Sequence, residues 1–186
     1  MDALVSAFVA ALLAEIGDRT QLLVVALAAF YRRPGPVLAG AAVAAAASSL
    51  IAAAIGAIIA GIVTGRAVSL LLALACVFAG IAGLIRPRET RASFRGNPFI
   101  VALLAVFAAE LGDKSQFLAG AIAARFDSLA FAAAGATLGI VAANIPAALL
   151  GERLRRDLPL GAIRIVGAAL FLVTGFVLAA TALGLI

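Results

Sequence analysis

Apolar residues form six long stretches along the chain, and the polar positions between them fall in short clusters. The six stretches are Ala3–Ala29, Val37–Val63, Ala67–Ile85, Phe99–Ala124, Leu129–Leu150 and Leu160–Ile186. A hydrocarbon core about 30 Å thick requires about 20 apolar residues per helix, and each stretch is of adequate length. Strands of a membrane barrel would alternate apolar and polar residues instead. The pattern predicts an all-α integral membrane protein with six transmembrane helices.

The composition agrees with the membrane class. The chain has 186 residues, of which 66% are hydrophobic and 12% charged, whereas soluble domains carry about 25% charged residues. The six stretches leave nothing over for a soluble domain. Because the N-terminal MDALVSAF has no positively charged segment before its apolar run, we expect it to begin the first membrane helix and not a cleaved signal peptide.

The basic residues are distributed unequally between the two sides of the predicted bundle. Nine arginines follow the first, third and fifth stretches: Arg32, Arg33, Arg86, Arg88, Arg91, Arg95, Arg153, Arg155 and Arg156. The opposite side has Arg66 and Arg125. By the positive-inside rule, this places the arginine-rich loops in the cytoplasm and both termini outside. The net charge of +5 therefore reports orientation in the lipid bilayer, and no nucleic-acid partner is predicted.

The second half of the chain repeats the first at an offset of 95 residues without a gap. Gly40, Gly56 and Gly80 correspond in this way to Gly135, Gly151 and Gly175. We predict a first three-helix repeat at 1–85, a cytoplasmic linker at 86–97 and a second repeat at 98–186. Because three is an odd number of crossings, the second copy must be inverted. Transporters are often built from such repeats, with the substrate site near the midplane.

The best matched segments are AEIGDRTQLL at 14–23 and AELGDKSQFL at 109–118, which place charges inside apolar stretches. On a helix, Glu15 and Asp18 would project from one face, and Arg19 could pair with Glu15. Gly17 would allow another backbone to approach or let the helix open locally. The four acids are Glu15, Asp18, Glu110 and Asp113, and their polar neighbours are Arg19, Thr20, Gln21, Lys114, Ser115 and Gln116.

A buried ion pair that only fixes helix packing is the simplest interpretation of these charges. However, each central charge costs at least about 2.5–3.5 kcal/mol in a membrane, so intramembrane carboxylates are expected to be functional. Four acids and two bases leave a net charge of −2, which suits one divalent cation. Ser48, Ser49 and Asn144 could add neutral oxygen ligands, although interhelical hydrogen bonding explains them equally well.

The available donor atoms restrict the metal. The chain has no histidine, and its one cysteine, Cys76, lies in the middle of a predicted helix, which excludes the usual zinc chemistry. Carboxylate, amide and hydroxyl oxygens favour Ca²⁺, Mg²⁺ or Mn²⁺. A carboxylate site that holds either a metal ion or protons could exchange one for the other. With protons flowing inward, such a transporter would export metal by alternating access.

The two motif copies, EIGDRT and ELGDKS, resemble the signature of the Gdt-one/transmembrane protein 165 family, Glu-φ-Gly-Asp-[Lys/Arg]-[Ser/Thr]. The resemblance covers essentially the whole chain and implies a Mn²⁺ or Ca²⁺ transporter of the cation/proton antiporter type, in the LysE superfamily. It implies that Glu15, Asp18, Glu110 and Asp113 bind the metal. The linker is short compared with that of eukaryotic members and no targeting sequence is seen, which favours a bacterial inner membrane.

Three other functions are compatible with parts of the sequence. Export of a small organic solute such as an amino acid would require a larger polar cavity. A non-transporting membrane scaffold would depend on the arginine-rich loops and not on the acids. An intramembrane enzyme is disfavoured because no nucleophile–base pair is visible, and no cofactor is expected. The sequence leaves the oligomeric state open, with a homodimer as one option.

Overall fold

The computed structural model describes residues 1–87, 95–151, 153, 156 and 158–186. In these residues the chain is helical and has no strand, which confirms the all-α prediction. The eight helices described there are α1 (Asp2–Glu15), α2 (Arg19–Tyr31), α3 (Pro34–Ala60), α4 (Gly65–Leu84), α5 (Pro98–Glu110), α6 (Lys114–Phe126), α7 (Leu129–Leu150) and α8 (Leu160–Leu183).

Four of these helices, α3, α4, α7 and α8, are long and apolar enough to cross a membrane. The first and fourth apolar stretches are not continuous helices, so that part of the prediction is wrong. Each is divided into two helices of 13 or 14 residues, α1 with α2 and α5 with α6. Together with the apolar surface of the bundle, where Val173 and Phe176 on α8 are exposed, the four long helices indicate a multi-pass membrane protein.

Glycine and aspartate produce the two breaks. Gly17 and Gly112 have φ values of 75° and 74°, in the left-handed region that L side chains avoid. Asp18 and Asp113 then adopt extended conformations at the N-cap positions of α2 and α6, where the Asp113 side chain also accepts a hydrogen bond from the Ser115 amide. Consequently Glu15 ends α1 and Asp18 precedes α2, and the two do not lie three residues apart on one helix as predicted. The alternative expectation, local opening of the helix at glycine, is confirmed.

Equivalent positions of the two halves make equivalent contacts. A Cβ on Gly40 would collide with the carbonyl oxygen of Phe99, and one on Gly135 would collide with that of Leu4. Gly135 lies 95 residues after Gly40, and Phe99 lies 95 residues after Leu4, so the two contacts are equivalent with the halves exchanged. The same exchange relates Gly80 and Gly175, at which α4 and α8 approach each other. The absence of a side chain allows close helix packing in lipid, so each glycine fixes a contact between the two halves of the chain.

These contacts place the broken helices at the centre of the bundle. α1 packs mainly against α7, and α5 packs against α3, so each broken pair lies along the long helix of the other half. α6 is held between α3 and α4. Residues 88–94 of the predicted linker, with Arg88 and Arg91, lie outside the described residues, as does Arg155.

Candidate metal centre

The two helix breaks bring carboxylates from both halves of the chain together. Glu15, Asp18 and Asp113 each offer one carboxylate oxygen, and the three oxygens lie within 4.8 Å of one another. Glu15 is fully buried, and Asp18 and Asp113 are 9% and 8% exposed. Glu110 does not belong to this group of three, but it is also fully buried and interacts electrostatically with Glu15. The structure thus assembles all four predicted acids, with Glu110 set apart from the tightest cluster.

The basic residues of the motif pair across the two halves. Arg19 Nη2 lies 3.1 Å from Asp113 Oδ1 and donates to the carbonyl oxygen of Ala109 at 2.7 Å. The predicted pairing of Arg19 with Glu15 is therefore wrong, because the helix break turns Arg19 away from α1. Lys114 Nζ lies 2.7 Å from Asp18 Oδ2 and 3.5 Å from Asp113 Oδ2. Both bases thereby join the first motif to the second.

The hydroxyl residues contribute unequally. Ser115 Oγ donates to Glu110 Oε2 at 2.8 Å and lies 3.4 Å from Asp113 Oδ2. Its counterpart Thr20 is fully buried near Glu110, and its hydroxyl forms no well-aligned hydrogen bond. Ser115 therefore orients two of the acids, while the Thr20 oxygen remains available to a ligand.

Several buried oxygens in the centre lack a hydrogen-bond partner among the described residues. Both carboxylate oxygens of Glu15 are of this kind, as are Glu110 Oε1 and Asn144 Oδ1. A buried carboxylate without hydrogen bonds is strongly disfavoured unless a cation or a proton neutralises it. Glu15 is thus the side chain whose chemistry most clearly requires a ligand.

Two glutamines hold the helix breaks in place. Gln21 Oε1 accepts a hydrogen bond from the Gly17 amide at 2.9 Å, and Gln21 Nε2 donates to the carbonyl oxygen of Ala143 at 2.7 Å. Gln116 repeats this arrangement with the Gly112 amide at 2.9 Å and the Ser48 carbonyl oxygen at 3.4 Å. Each glutamine amide is thus used to attach a break to the long helix of the other half, which leaves it less free to bind metal.

The neutral candidates of α3 and α7 are buried, as a site in the bundle core requires. Ser48, Ser49 and Asn144 are 0%, 2% and 1% exposed. The Ser48 hydroxyl donates to the Ala45 carbonyl within its own helix, and Asn144 Nδ2 donates to the Ile140 carbonyl. The Asn144 side-chain oxygen has no hydrogen-bond partner among the described residues, so it is free to accept one.

The surroundings of the two motif copies differ. Arg19 has 49% of its side chain exposed, whereas Lys114 has 3%. α4 packs against α6, but its counterpart α8 makes at most marginal contact with α2. A cavity of about 510 Å³ occupies that place and is lined by Gly17, Leu22, Arg86, Pro87, Leu158, Pro159, Leu160, Gly161 and Arg164. A second cavity of about 470 Å³ lies between α3, α4 and α6 and is lined in part by Gly112 and Gln116, so each motif copy has a cavity beside its glycine.

Some residues around the centre escaped the sequence analysis. The carbonyl groups of Ala109, Ala143 and Ser48 fix side chains of the motif, and no sequence signal marks an individual carbonyl as an acceptor. Arg164 lines the cavity beside Gly17 and donates to the carbonyl oxygen of Ile85 at 2.7 Å. Its position inside the sixth apolar stretch was the signal that could have identified it, because arginines within membrane segments are rare.

The donor set is composed of oxygen atoms, carries a net negative charge and lies between helices of a multi-pass membrane protein. These features define a membrane transporter of cations, not an enzyme. The chain belongs to the family described as divalent cation/proton antiporter GDT1, whose model matches residues 3–91 and 98–184. This confirms the family indicated by the duplicated motif, and the metal ion is a transported substrate and not a cofactor.

A bacterial relative supports the same assignment. A protein of Vibrio cholerae serotype O1 named "Putative manganese exporter" is 39% identical over 166 residues, which cover 86% of this chain and 82% of the relative. No solved structure matches the chain. The family membership makes transport, and not scaffolding or catalysis, the function of this fold.

Proposed function

We propose that the protein exports Mn²⁺ in exchange for protons, with Ca²⁺ as a second possible substrate. Glu15, Asp18 and Asp113 would bind the ion, and Glu110 would complete the site as the ion moves through it. Thr20 and Asn144 would add neutral oxygens. The name of the Vibrio cholerae relative supports manganese, and the family description supports exchange with protons.

The buried, unpartnered carboxylate of Glu15 is the observation that carries this proposal. Two of its neighbours in the cluster, Asp18 and Asp113, have basic partners, but neither oxygen of Glu15 accepts a hydrogen bond among the described residues. A divalent cation would neutralise Glu15 and use oxygen ligands that Mn²⁺ and Ca²⁺ both accept. When the metal leaves, protons would take its place on the same oxygens, which couples the two fluxes.

Six membrane crossings and inverted repeats are part of the same proposal. Each broken pair would make one crossing, because α1 and α2 together extend about 40 Å at about 1.5 Å per residue and the hydrocarbon core is about 30 Å thick. The units 1–85 and 98–186 would then be the inverted repeats, joined by the linker at 86–97. The matched glycine contacts at an offset of 95 residues support this arrangement.

The positions of the arginines suggest which side of the membrane each cavity faces. If Arg32 and Arg33 face the cytoplasm, α2 is the cytoplasmic half of its crossing and α6 is the outer half of the other. The cavity beside α2 would then lie on the cytoplasmic side, and the cavity lined by Gly112 and Gln116 on the outer side. In a bacterial inner membrane with both termini outside, an exporter would load its ion from the cavity beside α2.

Metal flux into proteoliposomes with an imposed pH gradient tests the proposal. Wild-type protein is compared with Glu15→Gln, Glu110→Gln and the matched control Asp127→Asn, which makes the same change at an exposed helix end. Loss of an interaction with a charged group costs about 1.5–3 kcal/mol, so each site variant should reduce Mn²⁺ transport at low concentration at least about tenfold. The control should transport like wild type.

Three results would contradict parts of the proposal. Unchanged flux in both glutamine variants would show that the ion does not use this centre. Flux that does not respond to the pH gradient would contradict proton exchange. Transport of an amino acid without any divalent-cation transport would favour the organic-solute alternative. The ratio of Mn²⁺ to Ca²⁺ flux in wild-type protein decides between the two metals.

A further inference from the structure

Lys114 differs from every other basic residue in the chain. It is the only lysine, and the other thirteen basic residues are arginines. It is also 3% exposed, whereas the equivalent Arg19 has 49% of its side chain exposed. The ammonium group lies between two of the three clustered carboxylates, 2.7 Å from Asp18 Oδ2 and 3.5 Å from Asp113 Oδ2. The cluster therefore already contains a monovalent cation, supplied by the chain itself.

A bound metal and this ammonium group would compete for the same oxygens. Hard divalent cations lie about 2.0–2.6 Å from their oxygen ligands, so an ion held by Asp18 and Asp113 would lie directly beside Lys114 Nζ. Like charges at such a distance in a buried site repel strongly. The long, flexible side chain of lysine carries a compact charge that can move away. Arg19 is bound differently, because it contacts the other oxygen of Asp113, Oδ1, and the Ala109 carbonyl, and half of its side chain is exposed.

We propose that Lys114 is a specificity-determining residue that makes the centre select divalent over monovalent cations. This inference rests on the proposed function. When Na⁺ or K⁺ replaces the ammonium group, the carboxylates gain no additional positive charge, so the exchange gives no electrostatic advantage. A divalent ion brings one more charge and can displace the lysine side chain, which remains protonated throughout. The returning ammonium group then neutralises the acids after the metal has left.

Equilibrium binding of Mn²⁺ to the purified protein in detergent tests the inference, with Lys114→Met and the control variant Arg125→Met, which removes an exposed positive charge from the last turn of the same helix. Methionine has a similar length, no charge and a soft sulfur atom that Mn²⁺ does not prefer. Lys114→Met should bind Mn²⁺ at least tenfold more tightly than wild type, and Na⁺ in large excess should now weaken that binding. Arg125→Met should change affinity less than threefold and remain insensitive to Na⁺ at constant ionic strength.

The outcomes separate this inference from the proposed function. If wild-type protein shows no saturable Mn²⁺ binding, the proposed function fails. If wild type binds but Lys114→Met binds equally or more weakly, only the role of Lys114 is refuted. Equal effects of both methionine variants would also refute it, because they would report the loss of any positive charge.

A second measurement covers the case in which Lys114→Met does not fold. Because the chain has one lysine, an amine-reactive ester labels a single side chain of the wild-type protein, and peptide mass spectrometry separates it from the N-terminal amine. Displacement by the metal predicts labelling of Lys114 several-fold faster with saturating Mn²⁺ than with Na⁺ at equal ionic strength. Labelling at the same or a lower rate would overturn the inference.

Discussion

The contact between α3 and α6 provides the sharpest test of how the bundle holds the metal centre. Gly56 of α3 faces the backbone of Gly120 in α6, and replacing Gly56 by alanine would place a methyl group against that backbone. The Cβ would lie 2.7 Å from the Gly120 carbonyl carbon and would collide with the carbonyl oxygen. Because α6 begins with Lys114 and Ser115, a displacement of this helix should reach the carboxylates.

The size of the effect follows from the geometry. Ordinary van der Waals contact begins at 3.4 Å, so the carbonyl carbon alone requires the two helices to separate by about 0.7 Å, from 2.7 to 3.4 Å. Overpacking of this kind costs about 1–3 kcal/mol, and a backbone cannot turn aside as a side chain can. Alanine recovers about 1 kcal/mol through its helix propensity. Because the obstacle is backbone, the overpacking cost should lie in the upper part of that range, about 2–3 kcal/mol, and the net loss in the free energy of unfolding should be about 1–2 kcal/mol.

Thermal unfolding in detergent measures this loss. About 1–2 kcal/mol corresponds to a decrease of roughly 2–8 °C in the midpoint for a chain of this size, and metal flux in proteoliposomes should decrease as well. The control is Gly61→Ala at the end of α3, where the nearest atom to the added Cβ is at an ordinary 3.5 Å. Equal midpoints and equal flux for the two variants would refute the reasoning.

Two further predictions concern the helix breaks. Gly17→Ala and Gly112→Ala both force alanine into the left-handed region, at a cost of about 1–2 kcal/mol. Gly17→Ala should lower the thermal midpoint more, because its Cβ would lie 3.0 Å from a carbonyl oxygen of α8, whereas a Cβ on Gly112 would have no atom within 4 Å. Identical midpoints for the two variants would contradict this difference in packing. Gln21→Ala leaves the buried Gly17 amide without its acceptor and should lower the free energy of unfolding by about 1–3 kcal/mol. Gln116→Ala should lower it less, because the hydrogen bond from Gln116 to α3 is longer, at 3.4 Å. A larger loss for Gln116→Ala in the same assay would show that this ranking is wrong.

The all-helical class, the duplication and the acidic residues could be predicted because each depends on short-range features of the chain. Apolar length indicates a membrane helix wherever it occurs, and two similar segments at a constant offset indicate a repeat. The need of Glu15 and Asp113 for a neutralising partner also follows from their presence in apolar segments, where ionised groups are costly. The family assignment confirms the transport function that these features indicated.

The pairing of the charges could not be predicted. A continuous helix would have placed Arg19 one turn after Glu15, but the positive φ of Gly17 redirects the chain, and Arg19 contacts Asp113 instead. A glycine in an apolar segment is compatible with close packing or with a break, and the sequence contains no information that separates the two. The choice depends on Gln21, whose amide meets both Gly17 and the Ala143 carbonyl only when the two halves are packed together.

The sequence by itself determined which groups are available: four acids, two bases and neutral oxygens inside a helical membrane protein. The tertiary structure decided which of them meet. It gathered Glu15, Asp18 and Asp113 closely and set Glu110 apart, and it buried Lys114 while leaving Arg19 half exposed. The physical reason is that residue type and spacing fix solvation cost locally, whereas the distance between charges 95 residues apart is set by how closely glycine-lined helices of the two repeats can approach.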